Sequence, residues 1–385
     1  MNRRSFIQLV GGGVVLAATS AASGCSTQLP DVAVAPWKGP VNESDPRKWI
    51  LSYAILAPNA HNLQSWLVDL RTSDEITLYC DSSRLLPETD PFGRQSMISQ
   101  GTFLELLVIA AKERGLAAEI TLFPNGEFNL MQASSQPTAR IRLRKAADIN
   151  ADPLFSQIVR RRTNRDAYLP LAVPPSAMAA IAESVAGFDT RVGFIDSSTP
   201  DLCDQHRRIA MDAYRIEVVT PRTMMETLRV VRVGPAEIAE YRDGISVNKL
   251  MPRVMAAIGL FDRTKAPAAD DVAITTQLAD FQTSLNSTNA FFWLSTANNS
   301  RATQVNVGRA YVRAQLAAAA VGLSMHPLSQ ALQEYPEQVG EYRKFHDLVG
   351  ASARAETVQM WARLGYGTAI EPSPRRGMAA HIRSV

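Results

Sequence analysis

The sequence predicts an α+β fold: strands and helices in a first half, and a second half that is mostly helical with a few strands. Trp66 to Leu70 and Glu75 to Cys80 read as paired strands across Thr72-Ser73-Asp74. Thr102 to Arg114 is a strongly apolar helix ended by Gly115, and most of the chain after Pro153 carries helical periodicity. Each half also holds a helix of small apolar residues closed by Gly-Leu, at Gly115-Leu116 and Gly322-Leu323, which leaves a degenerate internal duplication open.

From the N-terminus, residues 1–24 read as an export signal. Arg3-Arg4 stand ahead of an apolar run from Leu9 to Ala18, and small residues then lead to Ala22-Ser23-Gly24-Cys25. A buried N-terminal helix is the alternative, and Gly11-Gly12-Gly13 argues against it. The twin arginine and Phe6 resemble a twin-arginine (Tat) signal, which implies the Tat export machinery as a partner and a periplasmic location. Ala22-Ser23-Gly24-Cys25 resembles a bacterial lipobox with alanine where leucine is usual, so a lipid anchor at Cys25 and ordinary cleavage both stand. Residues 25–46 carry Pro30, Pro36, Pro40 and Pro46 among few apolar neighbours, the composition of a semi-extended tether.

The first folded half is expected over 47–150. Trp49, Ile50, Tyr53, Ala54 and Ala57 recur at helical spacing until Pro58 ends the helix. After the strand pair and the apolar helix, Glu119 to Phe123 and Arg140 to Leu143 read as further strands, with Arg140, Arg142 and Arg144 alternating onto one face. The second half, 151–385, opens at Pro153. Helices are expected over 175–186, 200–219, 222–232 and 249–260, then a loop near 262–272. Phe291 to Thr296 reads as a strand, Arg309 to Ala320 as a buried helix, and Thr357 to Leu364 as a last strand.

A length of 385 residues suffices for one large core or two modest ones, and 46% apolar with 20% charged residues argues against disorder. The formal charge of +3 falls to +1 without Arg3 and Arg4, so no general nucleic-acid surface is expected. Five histidines and three cysteines show no metal-ligand spacing, so no protein metal site is indicated. There is no phosphate-binding Gly-x-x-x-x-Gly-Lys loop and no Gly-x-Ser-x-Gly elbow, and Gly365-Tyr366-Gly367 lacks the third glycine of a dinucleotide turn. Export would permit a disulfide between Cys80 and Cys203, but their spacing does not predict one.

Two short segments carry the candidate chemistry. Ala57-Pro58-Asn59-Ala60-His61-Asn62-Leu63-Gln64-Ser65-Trp66 packs four polar side chains into one turn, either as caps of that turn or as ligand contacts. Arg160-Arg161-Arg162-Thr163-Asn164-Arg165 supplies four guanidiniums, either as a solvated turn or as an anion grip to which Arg375-Arg376 would add a second cationic point. His326-Pro327-Leu328-Ser329-Gln330 is either a plain connection or an apolar wall against a planar ligand.

Together these segments resemble the nitroreductase superfamily. Residues 57–66 are similar to its Pro-Ser-x-x-Asn-x-Gln-Pro-Trp segment, and residues 161–165 to its Arg-Arg-Ser-x-Arg flavin motif. The Pro-Asn segment comes first here, an order that resembles the Acg-type branch, in which one chain imitates a nitroreductase homodimer. Asp81 to Pro87, Asp90 to Arg94, Ile98 to Gly101 and Arg363 to Gly367 resemble that branch as well.

The resemblance implies an α+β, nitroreductase-like pseudo-dimer of two related halves, with mixed or antiparallel sheets flanked by helices, that binds FMN and passes electrons from a small donor to a nitro, quinone or similar acceptor. It implies cofactor contacts from Asn59, Ala60, His61, Asn62 and Gln64 of the first half. From the second half it implies Arg161, Arg162, Thr163, Arg165, Pro327, Leu328, Ser329, Arg375 and Arg376. No catalytic side chain is required, because the flavin carries the chemistry. Asn59 and Ser65 replace the family's serine and proline. Export removes the protein from nicotinamide cofactors, and a lid over the flavin in that branch favours the competing reading, a non-catalytic flavin-binding or flavin-sequestering protein. One complete flavin site per chain is expected, since residues 47–150 offer no second arginine motif.

Overall fold

Two four-stranded antiparallel sheets, each served by one long helix, form the frame, and the long helices cross at the junction of the halves. The computed structural model describes residues 27–146 and 148–383, so the export signal, Arg3, Arg4 and Cys25 lie outside the described residues.

The first half runs α1 (Asp31–Val34), α2 (Pro46–Ala54), β1 (Trp66–Asp69), β2 (Glu75–Cys80), α3 (Arg94–Glu113), β3 (Leu116–Leu122) and β4 (Ala139–Lys145), with sheet order β1-β2-β4-β3. The second half opens with α4 (Pro175–Ser184) and β5 (Arg191–Asp196). A long excursion follows: α5 (Pro200–Val219), α6 (Pro221–Arg229), β6 (Val231–Val233), α7 (Gly234–Tyr241), β7 (Ile245–Val247), α8 (Leu250–Ala257) and α9 (Val272–Asn286). The frame resumes with β8 (Ala290–Thr296), α10 (Arg301–Ala320), β9 (Ser324–Pro327), α11 (Val339–Leu348) and β10 (Thr357–Gly365), in the order β5-β8-β10-β9.

The two sheets therefore share one topology: two neighbouring strands, a long helix, then two strands that enter the sheet in swapped order. The expected duplication is present. Helices α3 and α10 are each 20 residues long, and each is followed by a left-handed glycine, Gly115 and Gly322. They meet at Gly101 and Gly308, the eighth residue of each. A Cβ on Gly101 would lie 1.9 Å from the Val305 carbonyl oxygen, and one on Gly308 1.9 Å from that of Ile98. Only hydrogen side chains allow this backbone approach. Val305, Val312 and Leu316 of α10 consequently join the core of the first half.

Both long helices begin a turn or more before the apolar periodicity does, at Arg94 and Arg301. Their first turns are polar and carry no hydrophobic signal; Ser300 caps the second by accepting from the Thr303 amide at 3.2 Å. Strand β5, the parallel pair β6–β7, strand β9 and helices α7 and α9 are short, exposed or irregular, and periodicity did not reveal them. The expected tether differs most. Asp31–Val34 and Ala35–Lys38 are helical, and Trp37 is buried with its indole N–H donating to the Ser373 carbonyl at 2.8 Å. The Arg375 amide donates to the Ala33 carbonyl at 2.8 Å, so this proline-rich segment folds onto the body.

Candidate functional site

The turn after α2 is conformationally unusual. His61, Asn62 and Gln64 have φ of 47°, 54° and 54°, left-handed values that non-glycine residues adopt only where the surroundings hold them. Helix α3 supplies much of that hold: Thr102 Oγ1 donates to the Pro58 carbonyl at 2.6 Å, the Ala60 amide donates to Ser99 Oγ at 3.2 Å, and Gln100 Nε2 donates to the Ser65 carbonyl at 2.8 Å. Asn59 acts as a cap, accepting from the Gln64 amide at 2.8 Å and donating to the Ala57 carbonyl at 3.1 Å. From outside, the excursion closes on the same turn. The Gly244 amide donates to the Asn62 carbonyl at 3.2 Å, Gln64 Nε2 donates to the Arg242 carbonyl at 2.9 Å, and His61 Nε2 lies 3.5 Å from Thr227 Oγ1.

The arginine segment and the C-terminal pair converge on that turn. Arg161 donates to the Leu56 carbonyl at 2.6 Å; Arg375 donates to the carbonyls of Leu56 and Ala57 at 3.2 and 3.0 Å and to Asn62 Oδ1. Arg376 brackets Gln64, its amide donating to Oε1 at 2.8 Å and its guanidinium to the carbonyl at 2.6 Å. The guanidinium carbons of Arg161, Arg162 and Arg375 lie 5.3, 4.7 and 5.2 Å from the centroid of the Trp37 indole. Arg161, Arg162, Arg165, Arg363, Arg375 and Arg376 form no ion pair with any described residue. The Nε of Arg161, Arg375 and Arg376 also lacks a hydrogen-bond partner. Burial and mutual repulsion hold Arg375 well below the ordinary arginine pKa, and burial holds Arg161 down at about 9. Arg161, Arg363, Arg375 and Arg376 are buried, and buried cations without counter-charge call for an anion.

Arg165 sits differently. It is exposed, yet desolvation by its surroundings lowers its pKa, and its side chain has no hydrogen bond or ion pair with any described residue. Its charge is felt by Tyr168, Tyr214 and Tyr311 and disfavours protonation of His61 and His326. Burial, with that charge second, lowers the His61 pKa to about 4, so its imidazole is neutral at pH 7. His326 accepts at Nδ1 from Arg363 Nε at 2.9 Å, which leaves the neutral ring its proton on Nε2.

Thr163 accepts from Gln315 Nε2 at 3.3 Å, and Gln315 Oε1 accepts from Arg161 at 3.3 Å. Arg162 turns back onto the carbonyls of Val159 and Arg161, both at 2.8 Å. Pro327 closes β9. Leu328 is buried in the second half's core, and its amide donates to the Trp361 carbonyl at 2.8 Å, whereas Pro327 and Ser329 stay half-buried. Arg363 joins this strand end to the arginine segment by donating to the carbonyls of Asn164 and Asp166 at 3.3 and 2.8 Å. The structure thus gathers Asn62, Gln64, Arg161, Arg375 and Arg376 in one network, sets Thr163 and Arg165 beside it, and links Pro327 to Ser329 only through His326 and Arg363.

Sequence reasoning missed Trp37, Tyr311, Gln315 and Arg363. Tyr311 and Gln315 carried no distinct signal, because Arg309 and Arg313 are polar in the same helix; the Tyr311 hydroxyl is buried without a partner. Trp37 carried no local signal. Among the described residues no cluster of His, Cys, Asp or Glu is placed to hold a metal, and Cys80 and Cys203 are buried free thiols.

No protein-family profile matches the chain. A Mycobacterium tuberculosis protein named provisionally as an NAD(P)H nitroreductase is 26% identical over 342 residues, 86% of this chain and 89% of that protein. The nitroreductase acg of the same organism, also provisionally named, is 30% identical over 132 residues, 34% of this chain and 38% of that protein. Among solved structures, the FMN-dependent nitroreductase from Mycobacterium smegmatis in complex with NADPH covers 60% of this chain and 96% of its own, at 17% identity and a TM-score of 0.38. The likeness over 86% of this chain is thus to a protein provisionally named as an NAD(P)H nitroreductase.

Proposed function

We propose that the chain is an exported FMN-binding oxidoreductase with one cofactor site between its halves. The observation that carries this is the set of buried arginines Arg161, Arg375 and Arg376 on the Leu56–Gln64 stretch, none of them paired with a carboxylate among the described residues, with Arg161, Arg162 and Arg375 ranged about one indole. Such a set suits a phosphate at one end and electron-rich ring atoms at the other. Arg161 and Arg375 would hold the phosphate, Thr163 the ribityl chain, and Arg165 with Asn62 the pyrimidine edge. The cofactor would supply hydride chemistry, taking two electrons from a small donor and delivering them to a nitro, quinone or similar acceptor. The protein's part is to anchor it, to offer positive charge where negative charge grows, and to keep His61 and His326 neutral beside it.

A flavin-sequestering protein is the second reading, favoured by the excursion that bonds Asn62 and Gln64 from outside. Steady turnover with an added donor and a nitro or quinone acceptor separates the two. The cofactor itself is tested by the visible spectrum of the purified protein and by Arg161→Ala. That variant should lose one or two charge-assisted bonds of about 1.5–3 kcal/mol each and bind FMN at least about tenfold more weakly. Wild-type affinity in the variant, or a colourless protein that ignores added FMN, would overturn the proposal. Export by the Tat route and attachment through Cys25 belong to the same reading, on the strength of Arg3-Arg4 and Ala22 to Cys25.

A further inference from the structure

Helix α8, Leu250–Ala257, is alone among the described α-helices in having no buried residue. Leu250, Val254 and Ile258 follow one another at four-residue intervals, with Met251 beside them, and form an apolar stripe along one side. Leu250, Met251, Val254, Ile258 and Leu260 are 51, 60, 44, 50 and 52% exposed. From Lys249 to Phe261 the segment carries Lys249 and Arg253 and no acidic residue. A water-facing apolar stripe with a basic edge is a docking surface.

Its place in the fold identifies what docks. Asn248, just ahead of this helix, donates through Nδ2 to the carbonyls of Thr27 and Gln28, both at 2.9 Å, so the first described residue is held at the start of α8. Cys25 precedes Thr27 by two residues, a reach of about 7 Å along an extended chain. The apolar run from Leu9 to Ala18 and the lipobox-like cysteine both lie upstream of that point. Whatever fastens the N-terminus to a membrane therefore brings α8 to the same surface. We infer that α8 is a membrane-contact face: it lies in the plane of the lipid surface, its stripe at the headgroup–acyl boundary and Lys249 toward anionic headgroups. A helix of two turns holds a protein to a lipid surface only marginally by itself, and an anchor at Cys25 beside it would keep the stripe at that surface. Among the described residues no helix is long and apolar enough to cross a membrane, which agrees with a helix that lies on one.

The inference rests on the envelope attachment proposed above and not on the flavin. Its test places an environment-sensitive fluorophore on M251C in the full chain. The reference is M131C, whose parent residue is 92% exposed in the first half, and the protein is bound to vesicles of phosphatidylethanolamine and phosphatidylglycerol. The label at 251 should shift to the blue and meet a lipid-soluble quencher only when vesicles are present, while that at 131 stays in water. M251E/V254E should weaken vesicle partitioning at least about tenfold with the flavin spectrum unchanged. A label at 251 that stays water-exposed on vesicle-bound protein overturns the inference. So does one already shielded without vesicles, because the leader or a second copy then covers the stripe. Cys25→Ser separates the anchor: if it partitions as the parent does and 251 is still shielded by lipid, the acyl anchor fails and the α8 face stands. A colourless protein with 251 shielded fails the flavin reading alone.

Discussion

Glu217 carries the clearest single-residue consequence of burial. It lies on α5 almost fully enclosed and accepts from the Gln333 amide, with no cation paired to it. Desolvation raises its pKa from 4.5 to about 7, against the hydrogen bonds that oppose it. The folded protein thus holds this proton more tightly than the unfolded chain. Its stabilising contribution is full below about pH 4.5 and lost as pH rises through about 7, beyond which the buried charge costs on the order of 3 kcal/mol. Glu217→Gln keeps a polar partner for Gln333 and removes the charge. Denaturant midpoints should show its advantage over the parent growing between about pH 5 and about pH 8. A difference that does not vary with pH would refute the assignment.

The element that holds the halves together is the α3–α10 crossing. Its two glycines are reciprocal, each covering a carbonyl of the other helix, so a methyl group at either has backbone and not a flexible side chain to displace. Beside them, Glu105 on α3 pairs with Arg309 and Arg313 on α10 at 2.9 and 3.0 Å, and Arg313 reaches Asp152 at 2.9 Å. Gly308→Ala should therefore destabilise the whole chain by at least about 2 kcal/mol, the scale of core overpacking, and lower the thermal midpoint by several degrees. An unchanged midpoint in calorimetry would mean the helices can part at little cost. The same substitution at exposed Gly187, which has open space around it, should be nearly neutral.

For the molecule as a whole, duplication of the frame does not duplicate the site. At the eleventh and fifteenth positions α10 sets Tyr311 and Gln315 beside the arginine segment, whereas α3 has Leu104 and Val108 there. The strand arginines Arg140, Arg142 and Arg144 face outward, near Glu75 and Glu119, and supply no second cradle. Titration should give one FMN per chain, bound by a monomer. Two FMN per chain, or binding confined to a dimer, would refute this count.

Much of the frame could be read in advance because it rests on local chemistry: alternation in β1, β2 and β4, helical spacing in α2 and α5, and glycines that end α3 and α10. The turn at 58–64 and the arginine segment were also legible, since a proline, three amides and clustered guanidiniums are unusual at close spacing. Long-range packing decided the rest. Trp37 gains meaning only when three arginines surround it, and Arg363 only when β10 brings it to His326. Leu328 left the expected ligand wall because β10 draws it into the core, and Asn59 became a cap because Gln64 turned its amide toward it. Composition and periodicity are properties of neighbours along the chain; burial, and charge without a partner, are set by residues hundreds of positions apart.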